Sequence, residues 1–387
     1  MSGPRIYIVA AEPSGDAIAA DLIDALREQN SDIALAGVGG AEMARRGVES
    51  LFDVSELSVF GIFDGLKIAN LVHERAEALA EDAARFQADA VVLIDSWGFM
   101  LRAAWKLKDK LPDVPLIKYV APQVFASRQG RAKVAADHFD HLLAIHPFDA
   151  PYFEPYGLPV HFVGNPALER DISGDGEAFK ERHGLDADAL TLLVLFGSRQ
   201  AELTRLFNPF VNALHRLKLS NPDLQIVTVL ASAIENEARQ KIDSVHGLSE
   251  SLVVVGSEER ADAFHAADLA LACSGTVTLE LARLEKPTIA AYRLGWLAWA
   301  AARLWLMKAK YISLANLAAD EMLIPELIQT KCTGERLARE VQILLDNPDH
   351  RARLSRRLTQ VTAQMSGEGG SPSQNAANAI LGIIAKR

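Results

Sequence analysis

The sequence predicts an α/β protein with two doubly wound halves, each a parallel sheet covered by helices on both faces. Three observations support this class. The chain has 387 residues, about twice the length of a typical domain. Short apolar runs alternate with longer segments of helical periodicity, as in strands that are buried on both faces and joined by helices. The polar break Ser173–Gly176 separates two such series.

The first series of elements extends to Pro166 and predicts a first domain over 1–168. Its predicted strands are 5–11, 33–38, 90–95, 115–120 and 141–145. Its predicted helices are 16–29, 66–86, 99–110 and 148–156. Because the strand runs are apolar without interruption, we expect both faces of the sheet to be covered.

The second series begins after the polar break and predicts a second domain over 169–366. Its predicted strands are 190–196, 224–230, 251–255, 269–272 and 287–291. Its predicted helices are 199–219, 234–246, 259–266 and 276–284. The remainder, 367–387, predicts a glycine-rich hinge and a last helix near 373–386. We expect this helix to pack back on an N-terminal domain, either its own or that of a partner chain.

The composition is that of a packed protein, with 49% apolar and 23% charged residues. Forty basic residues stand against fifty acidic ones, a net charge of −10. An acidic surface argues against nucleic-acid binding, which needs a broad basic face to neutralise phosphates. The apolar run 6–11 near the N-terminus is too short for a secretory signal, so we expect a cytoplasmic protein.

No metal site and no disulfide framework are predicted. Cys273 and Cys332 lie far apart and form no C-x-x-C motif. The spacing of His138, His141 and His146 is too loose to favour a set of zinc ligands. Free cysteines of this kind suit a reducing compartment.

The residues that follow each strand are the first candidates for function, because ligands of open α/β sheets bind beyond the carboxyl ends of the strands. Glu12, Ser14 and Gly15 follow the first strand. A helix N-terminus there offers free amides, and the glycine allows close approach to a ligand. The alternative is that Ser14 or Asp16 caps the helix. The chain lacks G-x-G-x-x-G at this turn, which excludes a dinucleotide fingerprint.

Asp95 ends the predicted strand 90–95 and would lie at the same edge of the sheet. A carboxylate in that position can accept the proton of a substrate hydroxyl that comes within hydrogen-bond reach. The alternative is that Asp95 caps the predicted helix 99–110. The sequence therefore offers Asp95 as a candidate general base, with a structural role still open.

Two strand ends in the second half have the residues of a nucleotide site. After strand 190–196 come Gly197, Ser198, Arg199 and Glu202, where a glycine turn, a hydroxyl and an arginine can meet a diphosphate. After strand 269–272 come Ser274, Gly275, Thr276 and Glu280, whose hydroxyls can donate to phosphate and whose carboxylate can accept from a ribose. The alternatives are an ordinary strand-to-helix turn and an ordinary helix cap. Two anion-binding strand ends in one domain would face one crevice.

Two apolar segments suggest contact with lipid. Between Lys286 and Ala319 there is no acidic residue, and three tryptophans, Trp296, Trp299 and Trp305, fall there. The apolar stretch is shorter than the ~20 residues of a spanning helix, but tryptophan with basic residues suits a membrane surface. The alternative is a helix buried against the second domain or a dimer partner. The other segment contains Phe60, Ile62, Phe63 and Leu66 and predicts either an acyl-chain contact or core.

Eight short motifs, taken together and in order, resemble the lipid-A-disaccharide synthases, inverting glycosyltransferases with two Rossmann-like domains facing a cleft (GT-B type). The motifs are 11–16 (AEPSGD), 57–61 (LSVFG), 94–95 (ID), 118–124 (KYVAPQV), 162–166 (FVGNP), 197–199 (GSR), 274–276 (SGT) with Glu280, and 311–317 (YISLANL). Two segments depart from the family pattern, Ser96–Met100 after the aspartate and Phe125–Ser127, and both lie on the acceptor side.

The resemblance implies transfer of 2,3-diacylglucosamine from UDP to 2,3-diacylglucosamine-1-phosphate, which gives a β-1,6-linked disaccharide 1-phosphate and UDP. It implies Asp95 as the catalytic carboxylate and the strand ends of the second domain, together with Asn316, as the nucleotide side. Arg199 and helix N-termini can balance the leaving diphosphate, so neither a metal nor a cofactor is expected. The resemblance also implies a peripheral protein on the cytosolic face of the inner membrane and leaves a homodimer open.

Two alternatives to this function remain at the level of sequence. A UDP-sugar epimerase or hydrolase of the same fold would bind the same nucleotide, since the fold does not determine the reaction. An inert, membrane-associated binder of nucleotide sugars would keep the nucleotide-side residues without needing Asp95. The first alternative has no need of two lipid-facing segments, so detergent-dependent activity would count against it. Turnover would exclude the second.

Overall fold

The computed structural model describes residues 3–57, 65–295, 299 and 310–386, with 65–69 described for their backbone alone. The chain divides into two units. Unit 1 comprises Met1–Glu169 and Met365–Arg387, and unit 2 comprises Arg170–Gln364. Both ends of the chain therefore belong to unit 1. Among the helices that the structure describes, none is long and apolar enough to span a membrane.

Unit 1 is a parallel six-stranded sheet with helices on both faces, which confirms the predicted class. Its strands are β1 (Arg5–Ala10), β2 (Ala34–Val38), β3 (Ala90–Ile94), β4 (Leu116–Tyr119), β5 (His141–Ala144) and β6 (Val160–Phe162), in the spatial order β2-β1-β3-β4-β5-β6. Its helices are α1 (Pro13–Gln29), α2 (Ala41–Arg45), α3 (Gly65–Phe86), α4 (Trp97–Lys110), α5 (Arg131–His138) and α6 (Ala150–Phe153). Successive residues of β1 enter opposite cores, Ile8 with Leu22 of α1 and Val9 with Leu79 of α3.

Unit 2 repeats this architecture with a second parallel sheet. Its strands are β7 (Thr191–Leu195), β8 (Gln225–Val229), β9 (Val253–Val255), β10 (Leu269–Cys273), β11 (Thr288–Tyr292) and β12 (Glu326–Ile328), in the order β12-β11-β10-β7-β8-β9. Its helices are α7 (Gly176–Arg182), α8 (Gln200–Ser220), α9 (Glu235–Asp243), α10 (Arg260–Ala266), α11 (Val277–Arg283), α12 (Leu314–Ala319), α13 (Gly334–Asp346) and α14 (Pro348–Ser366). Val194 packs with Phe210 of α8 on one face, and Leu193 packs with Phe264 of α10 on the other.

The last helix, α15 (Pro372–Ala385), packs on α1 in unit 1 of its own chain. Ile380 is fully buried in the same core as Leu22. The side-chain Nδ2 of Asn375 donates to the Val163 carbonyl at 3.2 Å, which joins the start of the helix to the residue after β6. Unit 1 therefore needs the C-terminal residues of the chain to complete one of its two cores.

The structure differs from the sequence prediction in several elements. Six helices were not predicted: α2, α5, α7, α12, α13 and α14. The predicted helix over 148–156 is wrong in its second half, where α6 ends and a 3-10 turn over Glu154–Tyr156 follows. Pro155 explains this, because it has no N–H to continue the α-helix. The edge strands β6 and β12 were not predicted, since three residues are too few to show a strand pattern.

Candidate functional site

In unit 1, the ends of neighbouring strands bring two of the predicted site residues into contact. β1 and β3 run parallel and in register, so the residues after each strand emerge at the same edge of the sheet. The Ser14 hydroxyl donates to Asp95 Oδ2 at 3.2 Å. At the same edge Gly15 is buried and Glu12 is exposed. The edge thus presents a partly exposed carboxylate beside a hydroxyl, an arrangement that can accept a proton from a bound ligand.

Neither Ser14 nor Asp95 caps a helix, so the capping alternative is wrong for both. The N-cap residues of α1 and α4 are Glu12 and Ser96, and neither helix has a side-chain cap bond. Asp16 does act as a cap, but for α2 rather than for its own helix. Its carboxylate accepts from the amides of Gly40, Glu42 and Met43 at 2.8, 2.8 and 3.2 Å. After β1, the Asp16 side chain therefore has a structural role, whereas the Ser14 side chain lies at the open edge of the sheet.

The turn after β3 contacts a buried lysine that the sequence reasoning did not assign to the site. Asp95 and Ser96 have φ of +53° and +37°, in the left-handed region that residues other than glycine rarely adopt. Lys118 of β4 is 1% exposed, and its Nζ donates to the Asp95 carbonyl oxygen at 2.5 Å. Burial lowers the pKa of Lys118 to about 7, although the charges of Asp95 and Glu12 act in the opposite direction. The sequence shows a lysine within the otherwise apolar run Leu116–Tyr119, but not what it contacts.

The histidines considered as metal ligands lie in separate environments. His138 contacts Trp105, His141 contacts His161, and His146 contacts Phe125 and Phe148. Within the part of the chain that the structure describes, no three potential metal ligands come together. Phe125 belongs to a segment that departs from the family pattern, and its ring meets the His146 ring edge-on at 5.8 Å. Burial among these rings lowers the pKa of His146 to about 4, so the imidazole is neutral.

In unit 2, the loop after β7 exposes its arginine side chain, but its backbone amides are hydrogen-bonded to Glu202. Gly197 has φ of +103°, and a Cβ there would lie 2.4 Å from Glu202 Oε2. That oxygen accepts from the amides of Ser198 and Arg199 at 3.0 and 3.2 Å. The Arg199 side chain is 79% exposed, and its guanidinium forms an ion pair with Glu202 Oε1 at 3.4 Å. Glu202 was expected to contact the nucleotide, whereas here it holds the loop, and the accessible donors are the Arg199 guanidinium and the Ser198 hydroxyl.

The second strand end of unit 2 follows β10, the direct neighbour of β7 in the sheet. Gly275 and Thr276 are exposed, and α11 begins after Thr276 without a side-chain cap bond, so the capping alternative is wrong here too. Glu280 is 7% exposed on α11 and forms an ion pair with Arg260. The two predicted strand ends thus emerge at one edge of one sheet, and the carboxylate of Glu280 is held by a fixed cation.

Asn316 is fully buried at the start of α12 and has all four of its hydrogen-bonding positions filled. Its Nδ2 donates to the Ile324 carbonyl and to Glu326 Oε1, at 2.7 and 2.9 Å. Its Oδ1 accepts from the amides of Leu323 and Ile324, at 2.9 and 2.8 Å. A contact between Asn316 and a nucleotide would require these bonds to break. The role that the resemblance implies for it stays a prediction.

The two segments predicted to contact lipid lie largely outside the described residues. Phe60, Ile62, Phe63, Trp296 and Trp305 are among the residues that are not described, and Leu66 is described for its backbone alone. Trp299 is half-buried, and its amide donates to the Gly295 carbonyl at 2.8 Å. The lipid-facing role of both segments therefore stays a prediction.

The chain is similar to a known protein family over nearly its whole length. The family described as lipid-A-disaccharide synthetase matches residues 6–380. A lipid-A-disaccharide synthase of Rhodospirillum centenum is 40% identical over 385 residues, which cover 99% of this chain and 95% of the relative. The lipid-A-disaccharide synthase of Paramagnetospirillum magneticum is 38% identical over 382 residues, which cover 98% of this chain and 97% of the relative. The similarity thus extends across both units.

Solved structures share the fold at low sequence identity. A putative UDP-N-acetylglucosamine 2-epimerase from Listeria monocytogenes has a TM-score of 0.65 at 13% identity, covering 99% of this chain and 96% of its own. A glycosyltransferase from Rickettsia africae has a TM-score of 0.63 at 13% identity, covering 100% of this chain and 99% of its own. At such identities the likeness concerns the fold alone. The epimerase alternative has the fold in its favour and nothing more.

Proposed function

The chain belongs to the lipid-A-disaccharide synthetase family, glycosyltransferases of lipid A biosynthesis, and from that premise we propose that Asp95 is the base of the sugar transfer. The family implies a UDP-sugar donor and a sugar acceptor. We assign UDP-2,3-diacylglucosamine as the donor and 2,3-diacylglucosamine-1-phosphate as the acceptor. The observation that carries the proposal is the contact between Ser14 and Asp95 at the carboxyl edge of the sheet in unit 1.

In the proposed reaction, the Asp95 carboxylate accepts the proton of the acceptor's 6-hydroxyl group. The freed oxygen forms a bond to the anomeric carbon of the donor while the bond from that carbon to the UDP oxygen breaks. UDP leaves with the bonding electrons, and the configuration at the anomeric carbon inverts. The Ser14 hydroxyl, which donates to Asp95 Oδ2, leaves Oδ1 of the same carboxylate for the acceptor.

We assign the donor's nucleotide to the carboxyl edge of the sheet in unit 2. An exposed guanidinium at Arg199 supplies positive charge for the diphosphate without a divalent ion. Gly275 and Thr276, exposed after the neighbouring strand, supply backbone and hydroxyl donors. Glu280 is assigned to the ribose hydroxyls, with Arg260 holding its carboxylate in place. Glu202 supports this site through the loop rather than by contact.

We also propose that the chain acts as a peripheral protein on the cytosolic face of the inner membrane. The assigned donor and acceptor both have acyl chains, which partition into a bilayer. The segment between Lys286 and Ala319 combines three tryptophans with basic residues and contains no acidic residue, a composition that favours the surface of an anionic membrane.

Replacing Asp95 with asparagine tests the assignment of the base. Asp95→Asn keeps the volume of the side chain but removes its ability to accept a proton. Loss of a general base typically lowers the rate by about 10²–10⁴-fold, and we expect that loss in turnover. The dissociation constant for UDP should stay unchanged, because the nucleotide is assigned to unit 2. Product formation is measured by mass spectrometry of the lipid fraction, and UDP affinity by calorimetry.

Asp109→Asn is the matched control, since Asp109 is an exposed carboxylate on α4 of the same unit. It should leave turnover at the level of the parent protein. Asp95→Asn with turnover within a few-fold of the parent would refute the assignment of Asp95. If the variant also lost UDP affinity, the nucleotide would have to be assigned to unit 1 as well.

A further inference from the structure

Lys118 is a buried lysine beside the proposed base, and its hydrogen bonds join β4 to the end of β3 and to the turn at Asp95. Its side chain lies within β4, and its Nζ donates to the carbonyl oxygens of Asp95, Tyr119 and Leu93 at 2.5, 3.2 and 3.3 Å. The three hydrogens of the ammonium group thus each have an acceptor. A buried lysine that donates all its hydrogen bonds to backbone carbonyls restrains the backbone at those carbonyls.

The backbone is strained where each of the two neighbouring strands ends. Asp95 has φ of +53° at the end of β3, and Val120 has φ of +69° at the end of β4. For a β-branched residue such as Val120 this region is a clear outlier. Strained backbone persists only where its surroundings hold it in place, and it concentrates at functional sites. Here the Asp95 amide donates to the Tyr119 carbonyl at 3.0 Å, and the Asp95 carbonyl accepts from Lys118.

We infer that Lys118 is a positioning residue for the sugar transfer: its ammonium group fixes the Asp95 turn and thereby aims the Asp95 carboxylate at the acceptor. This inference rests on the proposed role of Asp95 as the base. With its N–H bonded to Tyr119 and its C=O bonded to Lys118, the Asp95 backbone has little freedom left. The freedom that remains at Asp95 is that of its side chain.

The charges around Lys118 give the inference a second consequence. The acidic groups that face it are Asp95 at the end of β3 and Glu12 at the end of β1, and they favour its charged form. Burial opposes them and lowers the pKa of Lys118 to about 7. The ammonium group is therefore present below neutral pH and is lost as the pH rises through about 7. If the charged form positions Asp95, turnover should fall on the alkaline side of neutrality while UDP affinity does not.

The test is a double-mutant cycle between Lys118→Met and Asp95→Asn. Methionine is close to lysine in length and leaves no charge in the buried site. Misplacement of a catalytic group by about 1 Å can cost about 10²-fold in rate, so we expect Lys118→Met to lower turnover by about that factor. In the Asp95→Asn background the same substitution should have no further effect, because Lys118 acts through Asp95. Equal losses in both backgrounds would indicate a merely structural role and overturn the inference.

Lys108→Met is the matched control, because Lys108 is a half-exposed lysine of the same unit that pairs with Asp140. It should leave turnover unchanged. The pH profile of the parent protein needs no variant and keeps the inference testable if Lys118→Met does not fold. Turnover that stays level from about pH 6 to pH 9 would overturn the inference. Near-parent turnover of Asp95→Asn would instead refute the base itself, so the two failures are distinguishable.

Discussion

At the scale of single residues, the carboxylates at the proposed sites of unit 1 and unit 2 have different environments. In unit 1, Asp95 has one hydroxyl contact and remains partly exposed. In unit 2, the Glu202 carboxylate accepts hydrogen bonds from the amides of its own loop, and the accessible charge is the Arg199 guanidinium. A proton acceptor needs an accessible carboxylate, whereas a diphosphate site needs an accessible cation. Each unit thus exposes the charge that its proposed role requires.

Arg199→Ala should weaken UDP binding. A hydrogen bond to a charged group typically contributes about 1.5–3 kcal/mol, which corresponds to about 10- to 100-fold in the dissociation constant. Calorimetric titration with UDP measures this directly. Arg216→Ala is the control, because Arg216 lies on α8, the helix that follows Arg199, and its side chain bonds to Asn212. An unaltered affinity of Arg199→Ala would refute the assignment of the Gly197–Arg199 loop to the diphosphate.

At the scale of elements, hydrogen bonds from one side chain set the position of a neighbouring segment. Asp16 on α1 holds the start of α2 through three amides. Asn316 on α12 holds the chain that leads into β12 through four bonds. Both side chains are buried, and they provide the hydrogen bonds that water would otherwise make to these backbone groups. The loops beside the proposed sites are therefore held by polar residues that need not touch a ligand.

Asn316→Ala should destabilise the protein by about 2–4 kcal/mol, because it leaves the buried amides of Leu323 and Ile324 without an acceptor. Urea-induced unfolding measures the change. Asn378→Ala, at an exposed position on α15, is the control and should change the stability by less than about 0.5 kcal/mol. A variant with unchanged stability and weakened UDP binding would mean that Asn316 contacts the nucleotide, as the resemblance implies.

The sequence predicted the central elements better than the edges. Long apolar strands such as β1 and β3 carry their own signal, and their parallel order places Ser14 and Asp95 at one edge. The start of α2 could not be predicted, because Asp16 sets it from a distant point in the chain. Lys118 was missed because a single charge inside an apolar run has no periodicity, and only the paired strands show what it contacts.

At the scale of the whole molecule, each unit has its own two-sided core, and unit 1 closes only with the end of the chain. The core that contains Ile8 and Leu22 also contains Ile380 of α15. Glu169, where the chain leaves unit 1, accepts from the Ser373 hydroxyl and amide at 2.8 and 3.1 Å as the chain returns. Within unit 1, the segment that leaves it and the segment that returns to it are thus hydrogen-bonded to each other.

The proposed action on lipid substrates concerns the whole molecule, since the protein must meet a bilayer to reach them. From the sequence, we predict this contact at Trp296, Trp299 and Trp305, with the basic residues Arg303 and Lys308 of the same segment as the predicted partners of lipid phosphates. The alternative is that the tryptophans are core residues. The two interpretations differ in what loss of the tryptophans does to stability.

Replacing all three tryptophans with serine should release the protein from vesicles and lower turnover on vesicle-borne substrate, because the aromatic contact with the membrane surface is lost. UDP affinity and melting temperature should stay close to those of the parent. Flotation with anionic vesicles, calorimetry and thermal denaturation measure the three quantities. Trp105→Ser is the control, because Trp105 is 52% exposed on α4 and lies outside the proposed contact. If the tryptophans are core residues, each truncation costs about 3–5 kcal/mol, and the triple variant unfolds or aggregates instead.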